Sequence, residues 1–157
     1  MELSLLAKQI VTQNEYLTLA TVGETGAPWV SILAYTYDDN FTFYFASLPD
    51  SRHSKEAEKR NDVSFSIFDS HQDFGTGVGL QIEGKIEVVS DADSERVLSL
   101  YYGRKYPYGN VSNEFMEGLK KLLENKTYLF YKLTPKRVWI NDPTADTDRR
   151  VEVKLEG

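Results

Sequence analysis

Residues 16–22 alternate apolar and polar side chains, stop at Gly23-Glu24-Thr25-Gly26, and give way to a second β-type run over 29–37. Period-2 segments joined by so short a turn commit the chain to antiparallel strands, because a parallel neighbour needs a crossover of a dozen residues or more. Asp38-Asp39-Asn40 is a further tight turn, and 41–46 a third strand, so the three runs read as a meander of hairpins. Strands are also expected over 63–68, 79–89, 127–133 and 137–140, the last two separated by Thr134-Pro135. Val63, Phe65 and Ile67 fall on one face of theirs, and the alternation of Val151, Val153 and Leu155 adds an edge strand. Helical spacing is confined to three places. These are residues 2–14 with Leu3, Leu6 and Ile10, a stretch from about Asp91 to Gly103 carrying Val97, Leu98 and Tyr101, and a stretch opened by Ser112. In the last, Phe115, Met116, Leu119, Leu122 and Leu123 share a face. Residues 54–60 are strong helix formers with no apolar stripe and read as a short, exposed helix. Six or seven strands with late helices point to a mainly β fold, a small β-barrel with helical decoration, rather than a doubly wound sheet. No repeat, low-complexity stretch or linker divides the chain, so residues 1–157 are read as one domain.

Composition removes several chemistries. An apolar share of 41% over 157 residues suffices for one core. With no cysteine there is no disulfide framework, thiolate metal site or cysteine nucleophile, and two histidines cannot by themselves supply a zinc site, so no metal is expected. A net charge of −6 is the wrong sign for a protein that coats nucleic acid. No apolar run approaches the roughly 20 residues that span a bilayer, and the start, with Glu2 and no small-residue cleavage site, does not read as a signal peptide. The expectation is a cytoplasmic chain without nucleic-acid or membrane partners. Ten tyrosines contribute to an aromatic share of 13%. Such rings serve strand packing, and they also suit a pocket for a flat ligand.

Three segments carry candidate chemistry. Ser51-Arg52-His53-Ser54-Lys55 lies between a strand and a helix start. Ser51 or Ser54 caps that helix, Arg52 offers a planar fork and Lys55 a point charge, and the helix N-terminus adds partial positive charge of its own. Cations are disfavoured at that end, so two of them ask for an anion such as a phosphate. On the residues alone, an ordinary capped helix with solvated charges is the favoured reading. The run Trp29-Val30-Ser31-Ile32-Leu33-Ala34-Tyr35 offers backbone and small side chains to a flat heterocycle, and taken alone reads as a core strand. In Gly79-Leu80-Gln81-Ile82-Glu83-Gly84, Gln81 is expected to face the interior, where an amide reads the polar edge of a ring. Gly75-Thr76-Gly77-Val78-Gly79 precedes a strand rather than a helix, and is a loop rather than a phosphate cradle. No catalytic acid or base is identifiable, because His53 has no carboxylate partner by spacing.

Taken in order, Leu19-Ala20-Thr21, Gly26-Ala27-Pro28-Trp29-Val30-Ser31, Phe43-Tyr44-Phe45-Ala46-Ser47, Ser51-Arg52-His53-Ser54-Lys55 with Asn61-Asp62-Val63, and Leu80-Gln81-Ile82-Glu83-Gly84 resemble the pyridoxamine 5'-phosphate oxidase-like family of FMN-binding split β-barrels. The resemblance covers about residues 15–90 and weakens through Tyr106-Pro107 and Arg137-Val138-Trp139. It implies FMN at a homodimer interface. Trp29, Val30, Ser31 and Ile32 would lie along the ring and ribityl chain, and Arg52, His53 and Lys55 fall in the phosphate-holding segment. Ser47 would make a small polar contact, Gln81 would approach the flavin, and the region of Tyr106 or Trp139 would be contributed by the partner subunit. One departure matters: the Arg-Leu-His-Asp-Arg stretch of the vitamin oxidases is replaced by Asp148-Arg149-Arg150, so that activity is not implied. The expected function is an FMN-dependent oxidoreductase acting on a small-molecule substrate. The alternatives are a non-catalytic flavin- or haem-binding protein, which directs attention to His53 and His71, and a deazaflavin as cofactor.

Overall fold

The computed structural model describes residues 2–109 and 111–157. In chain order its elements are α1 (Leu3–Gln13), β1 (Tyr16–Val22), β2 (Pro28–Ala34), β3 (Thr36–Tyr37), β4 (Phe43–Ser47), α2 (Arg52–Lys59), β5 (Asp62–Phe68) and β6 (Gly79–Val88). A 3-10 turn (Asp91–Asp93), α3 (Ser94–Gly103), α4 (Asn113–Glu124), β7 (Leu129–Asn141) and β8 (Arg150–Val153) follow. The eight strands form one antiparallel sheet of order β2-β1-β5-β6-β7-β4-β3, with β8 on β7.

The strands at the two ends of that order, β2 and β3, are consecutive in the chain with Tyr35 alone between them. In a flat sheet, six steps of about 4.8 Å would hold them about 29 Å apart. Two Cα steps span at most about 7 Å. The sheet therefore curls until its ends meet at Tyr35, which is the geometry of a split β-barrel. Tyr35 is fully buried at that junction. Its amide donates to the Glu15 carbonyl at 3.0 Å and its hydroxyl to the Val11 carbonyl at 2.6 Å. The Arg104 guanidinium lies 4.6 Å from its ring and donates to the carbonyls of Tyr35 and Asn14, so it also satisfies backbone at the end of α1.

This junction corrects the expected meander. Residues 29–37 are not one strand: Tyr35 turns away to bond Glu15 and Val11, and the chain crosses from one end of the sheet to the other. β4 pairs with β3 and β7, not with β2. The strands expected over 127–133 and 137–140 are a single β7 running through Pro135. Opposite it on β6, Glu83 pairs with Arg137 and Gly84 with Pro135, so Lys136 is the extra residue of a bulge, which is where a strand tolerates a residue without an N–H.

Leu17, Leu19, Phe43, Phe45, Phe65, Ile67, Leu80, Ile82, Leu133 and Ile140 fill the barrel, with Ala7, Ile10 and Val11 of α1 packed against them. Burial of each large side chain contributes about 1.5–3 kcal/mol. A second cluster of Tyr44, Val89, Val97, Tyr101, Met116, Leu119 and Phe130 places α3 and α4 outside the barrel. β4 is therefore covered on both faces: Phe43 and Phe45 point inward, Tyr44 outward. Phe115, expected on the buried face of α4, is instead exposed. Among the described residues, no helix is long and apolar enough to cross a membrane.

The bulge yields a prediction. A Cβ on Gly84 would sit 2.7 Å from the Thr134 carbonyl oxygen and 3.3 Å from the Phe65 ring. Gly84→Ala is expected to cost about 1–3 kcal/mol by overpacking. Urea denaturation should show a lower midpoint at unchanged slope, whereas an unchanged midpoint would mean that the bulge yields freely.

Candidate functional site

Strand alternation divides the candidate residues of β2 between two places. In the β1–β2 register Trp29 pairs with Thr21 and Ser31 with Leu19, so these side chains share the barrel side of the sheet with buried residues. Val30 and Ile32 point the other way and are 60% and 76% exposed.

On the barrel side, β2 meets α2. Expected as an exposed helix from residue 54, α2 begins at Arg52 and buries His53, Ser54, Glu56 and Ala57. Its covered face is polar, which an apolar-stripe criterion does not detect. Ser51 caps the helix: its Oγ accepts from the Ser54 amide at 3.4 Å and donates to the Ser54 hydroxyl at 2.7 Å. The His53 ring reaches Ser31 of β2 through Nδ1 at 3.1 Å. Its Nε2 reaches Ser47 of β4 at 2.8 Å and Ser51 at 3.1 Å. Phe45 closes over it edge-on, with ring centroids 5.9 Å apart. Hydroxyls donate or accept, so they satisfy either tautomer of the imidazole. Burial holds the pKa of His53 below its usual 6.5, only partly offset by the negative charge of Glu56. A neutral histidine thus spans the split of the barrel, from the first strand of the sheet order to the strand next to its other end.

Beside it, the Arg52 guanidinium stacks 4.3 Å from the Trp29 ring and donates from Nε to Glu56 Oε1 at 2.8 Å. Glu56 Oε2 accepts from the buried Thr21 hydroxyl at 2.8 Å. The Arg52 hydrogen bond and, less strongly, that of Thr21 hold the Glu56 carboxyl below the ordinary range against the opposing effect of burial. Arg52 remains about half exposed, with its Nη edge turned to no partner among the described residues. Lys55 is exposed on the same first turn. Trp29, Ser31, Ser47, Arg52, His53 and Lys55 thus gather around one helix start. Glu56 and Thr21 escaped the reading of the sequence. The i, i+4 spacing of Arg52 and Glu56 is the signal that flags the pair.

On the outer face the strand pairings set Ile32, Thr18, Ser66, Gln81 and Trp139 in one row across the sheet, and Val30, Ala20, Ser64, Glu83 and Arg137 in the next. The small residues Thr18, Ala20, Ser64 and Ser66 floor a groove of about 340 Å³, which Val30 and Trp139 border. Gln81 lines this groove rather than the interior, and accepts a hydrogen bond from Arg150. Leu80 and Ile82 occupy the inward positions of β6, and period 2 leaves Gln81 no other side. Trp139, one of the two positions expected from the partner subunit, borders this chain's own groove. Tyr106 lies elsewhere, 5.0 Å from the Arg104 guanidinium. The glycine-rich stretch at 75–79 is a loop up to the start of β6, as expected, and faces the 142–149 segment across a cleft of about 740 Å³. His71, in the preceding loop, is exposed, with Nδ1 2.9 Å from Asp69. No group of three or more metal-ligating side chains occurs among the described residues.

The depressed pKa of His53 fixes the sign of a pH effect. Above its unfolded value near 6.5 both folded and unfolded chains carry it neutral, and its contribution is complete. As pH falls below that value, the unfolded chain takes a proton that the folded one resists, and stability is lost down through the folded pKa. Urea denaturation between pH 6.5 and about 5 is expected to show a steeper loss for the wild type than for His53→Gln, which keeps polar groups but does not titrate. Parallel curves would assign the loss to other groups.

Comparison with known proteins places this geometry. Residues 6–142 match the pyridoxamine 5'-phosphate oxidase family. Over 99 residues the chain is 28% identical to a UPF0306 protein of Cronobacter sakazakii, covering 62% of this chain and 68% of that protein. The fold superposes on a haem-binding protein of Mycobacterium smegmatis with a TM-score of 0.76 at 14% identity, covering 99% of this chain and 59% of that one. The chain thus spans under two thirds of that protein's length. An FAD-binding protein of Mesorhizobium loti superposes with a TM-score of 0.64 at 17% identity, covering 96% and 94% of the two chains. A family match over most of the sequence, together with a curled sheet whose ends meet at Tyr35, makes this chain a member of the pyridoxamine 5'-phosphate oxidase family.

Proposed function

We propose that the chain is a cytoplasmic flavoprotein that binds FMN as a homodimer and acts as an oxidoreductase on a small organic molecule. The observation that carries this reading is the pair of surfaces on either side of β2, a strand at the end of the sheet order. At the start of α2, the Nη edge of Arg52 and the Lys55 ammonium offer donors suited to a phosphate, beside the serine-held His53. On the outer face, a groove floored by small side chains and bordered by Val30 and Trp139 is shaped for a flat ring, with the Gln81 amide beside it. Trp29, Val30, Ser31 and Ile32 would follow the cofactor along β2, and Ser47 would add a small polar contact. Bound flavin supplies the electron-transfer chemistry, while these residues hold and orient it. The outward Val30, Ile32, Tyr16 and Phe68 form an exposed apolar face that a second copy of the chain would cover.

A haem-binding reading has one observation in its favour. Both ring nitrogens of His53 are engaged, but the exposed His71 is oriented by Asp69 through Nδ1 and leaves Nε2 outward, an arrangement common among ligating histidines. The visible spectrum of the protein, taken as purified and again after adding FMN and removing the excess, separates the readings. A retained two-banded flavin spectrum, with light scattering at twice the 18.0 kDa chain mass, is expected. A Soret band would favour haem, a deazaflavin spectrum the related cofactor, and a colourless protein would overturn the flavin assignment. Arg52→Ala should weaken FMN binding at least about tenfold while leaving riboflavin unaffected, since charge-assisted hydrogen bonds are worth about 1.5–3 kcal/mol. Equal loss for both ligands would remove Arg52 from the phosphate site.

A further inference from the structure

We propose that Glu56 sets how tightly this chain holds a phosphate group: it is a fixed carboxylate beside Arg52 that opposes a second anion at the start of α2. The proposal rests on the reading of this place as the phosphate subsite of FMN.

Two hydrogen bonds fix the carboxylate. Arg52 Nε donates to Oε1 at 2.8 Å, and the buried Thr21 hydroxyl donates to Oε2 at 2.8 Å. In the turn between β1 and β2, a Cβ on Gly23 would lie 3.2 Å from Oε1 and 3.4 Å from Cγ and Cδ, so a glycine there leaves the carboxylate its room. Glu56 is nearly covered from solvent. Its position has two opposite consequences for an incoming anion. By taking Nε while Trp29 takes the ring face, Glu56 directs the Nη edge of Arg52 outward, which favours binding. By remaining ionised next to that edge, it cancels most of the Arg52 charge and repels the anion through a partly dry medium, which opposes binding. His53, held neutral by burial, does not restore the missing charge. The orienting effect is that of one hydrogen bond, which an amide also accepts. The repulsion is between full charges, and so it dominates.

Glu56→Gln separates the two effects. The amide oxygen still accepts from Arg52 Nε and the amide nitrogen still reaches Thr21, so the geometry is kept and only the charge is removed. Dissociation constants for FMN and riboflavin are measured by flavin fluorescence quenching on the wild type and the variant, with thermal melting as the check of folding. The expected result is FMN binding tightened at least about fivefold with riboflavin unchanged within about twofold. The same gain is expected in an Arg52→Ala background, where orientation of Arg52 contributes nothing. Should the glutamine variant fail to fold, Glu56→Ala compared in the Arg52→Ala background, where no orienting effect is left to lose, carries the same test. FMN affinity that is unchanged or weakened while riboflavin stays constant would overturn the role of Glu56 and leave the flavin reading intact. A wild type that does not prefer FMN to riboflavin would overturn the phosphate subsite, and the proposal with it.

Discussion

A sheet whose first and last strands are neighbours in sequence has to bring its ends together, and in this chain it does so at two points of different character. At Tyr35 the join is covalent: one buried residue separates β2 from β3, anchored by hydrogen bonds to Glu15 and Val11 and covered by Arg104. At His53 the join is made by side chains, with a neutral imidazole between Ser31 of β2 and Ser47 of β4. The barrel is closed where the chain crosses and split where α2 enters. The start of α2 is fixed at the split because its second residue is the clasp, and the placement of Arg52 and Lys55 follows.

The same clasp limits the chemistry. A histidine with every ring nitrogen committed to serine hydroxyls, under an aromatic edge and short of its usual basicity, is built to hold strands rather than to ligate a metal or shuttle protons. The cationic character of the place then rests on Arg52, which shares its charge with Glu56, and on Lys55. The two faces of β2 divide the work: one gathers hydrogen-bond donors at a helix start, the other exposes apolar side chains beside a floor of small ones. Such a division fits a ligand with a flat end and an anionic end.

Much of the fold was legible because it is local. The alternation of residues 16–22 gave β1 with its observed bounds, Val63, Phe65 and Ile67 marked the buried face of β5, and Ser112 marked the cap of α4. What escaped was decided by distant partners. Nothing near Tyr35 announces that its amide belongs to Glu15, and so 29–37 read as one strand. The covered face of α2 consists of His53, Ser54, Glu56 and the small Ala57, and His53 and Glu56 find their partners in Ser31, Ser47 and Thr21 on three different strands, so a helix without an apolar stripe reads as exposed. Gln81, expected to face the interior, faces outward because Leu80 and Ile82 claim the inner side of β6. The resemblance to a flavin-binding family points to Arg52, His53 and Lys55; the i, i+4 spacing flags Glu56 as the partner of Arg52, but its bond to Thr21, 35 residues away, is not legible in the sequence.

An anionic ligand group received at the start of α2, between Trp29 and the His53 clasp, would perturb both Arg52 and His53. Nuclear magnetic resonance of selectively labelled protein reads this directly, by following the Arg52 Nε–H and the His53 ring nitrogens while FMN is added. Both sets of resonances are expected to shift and saturate together with the flavin absorbance, with riboflavin moving them much less. FMN that binds and perturbs residues of the outer groove while the Arg52 and His53 resonances stay in place would contradict that placement of the anion.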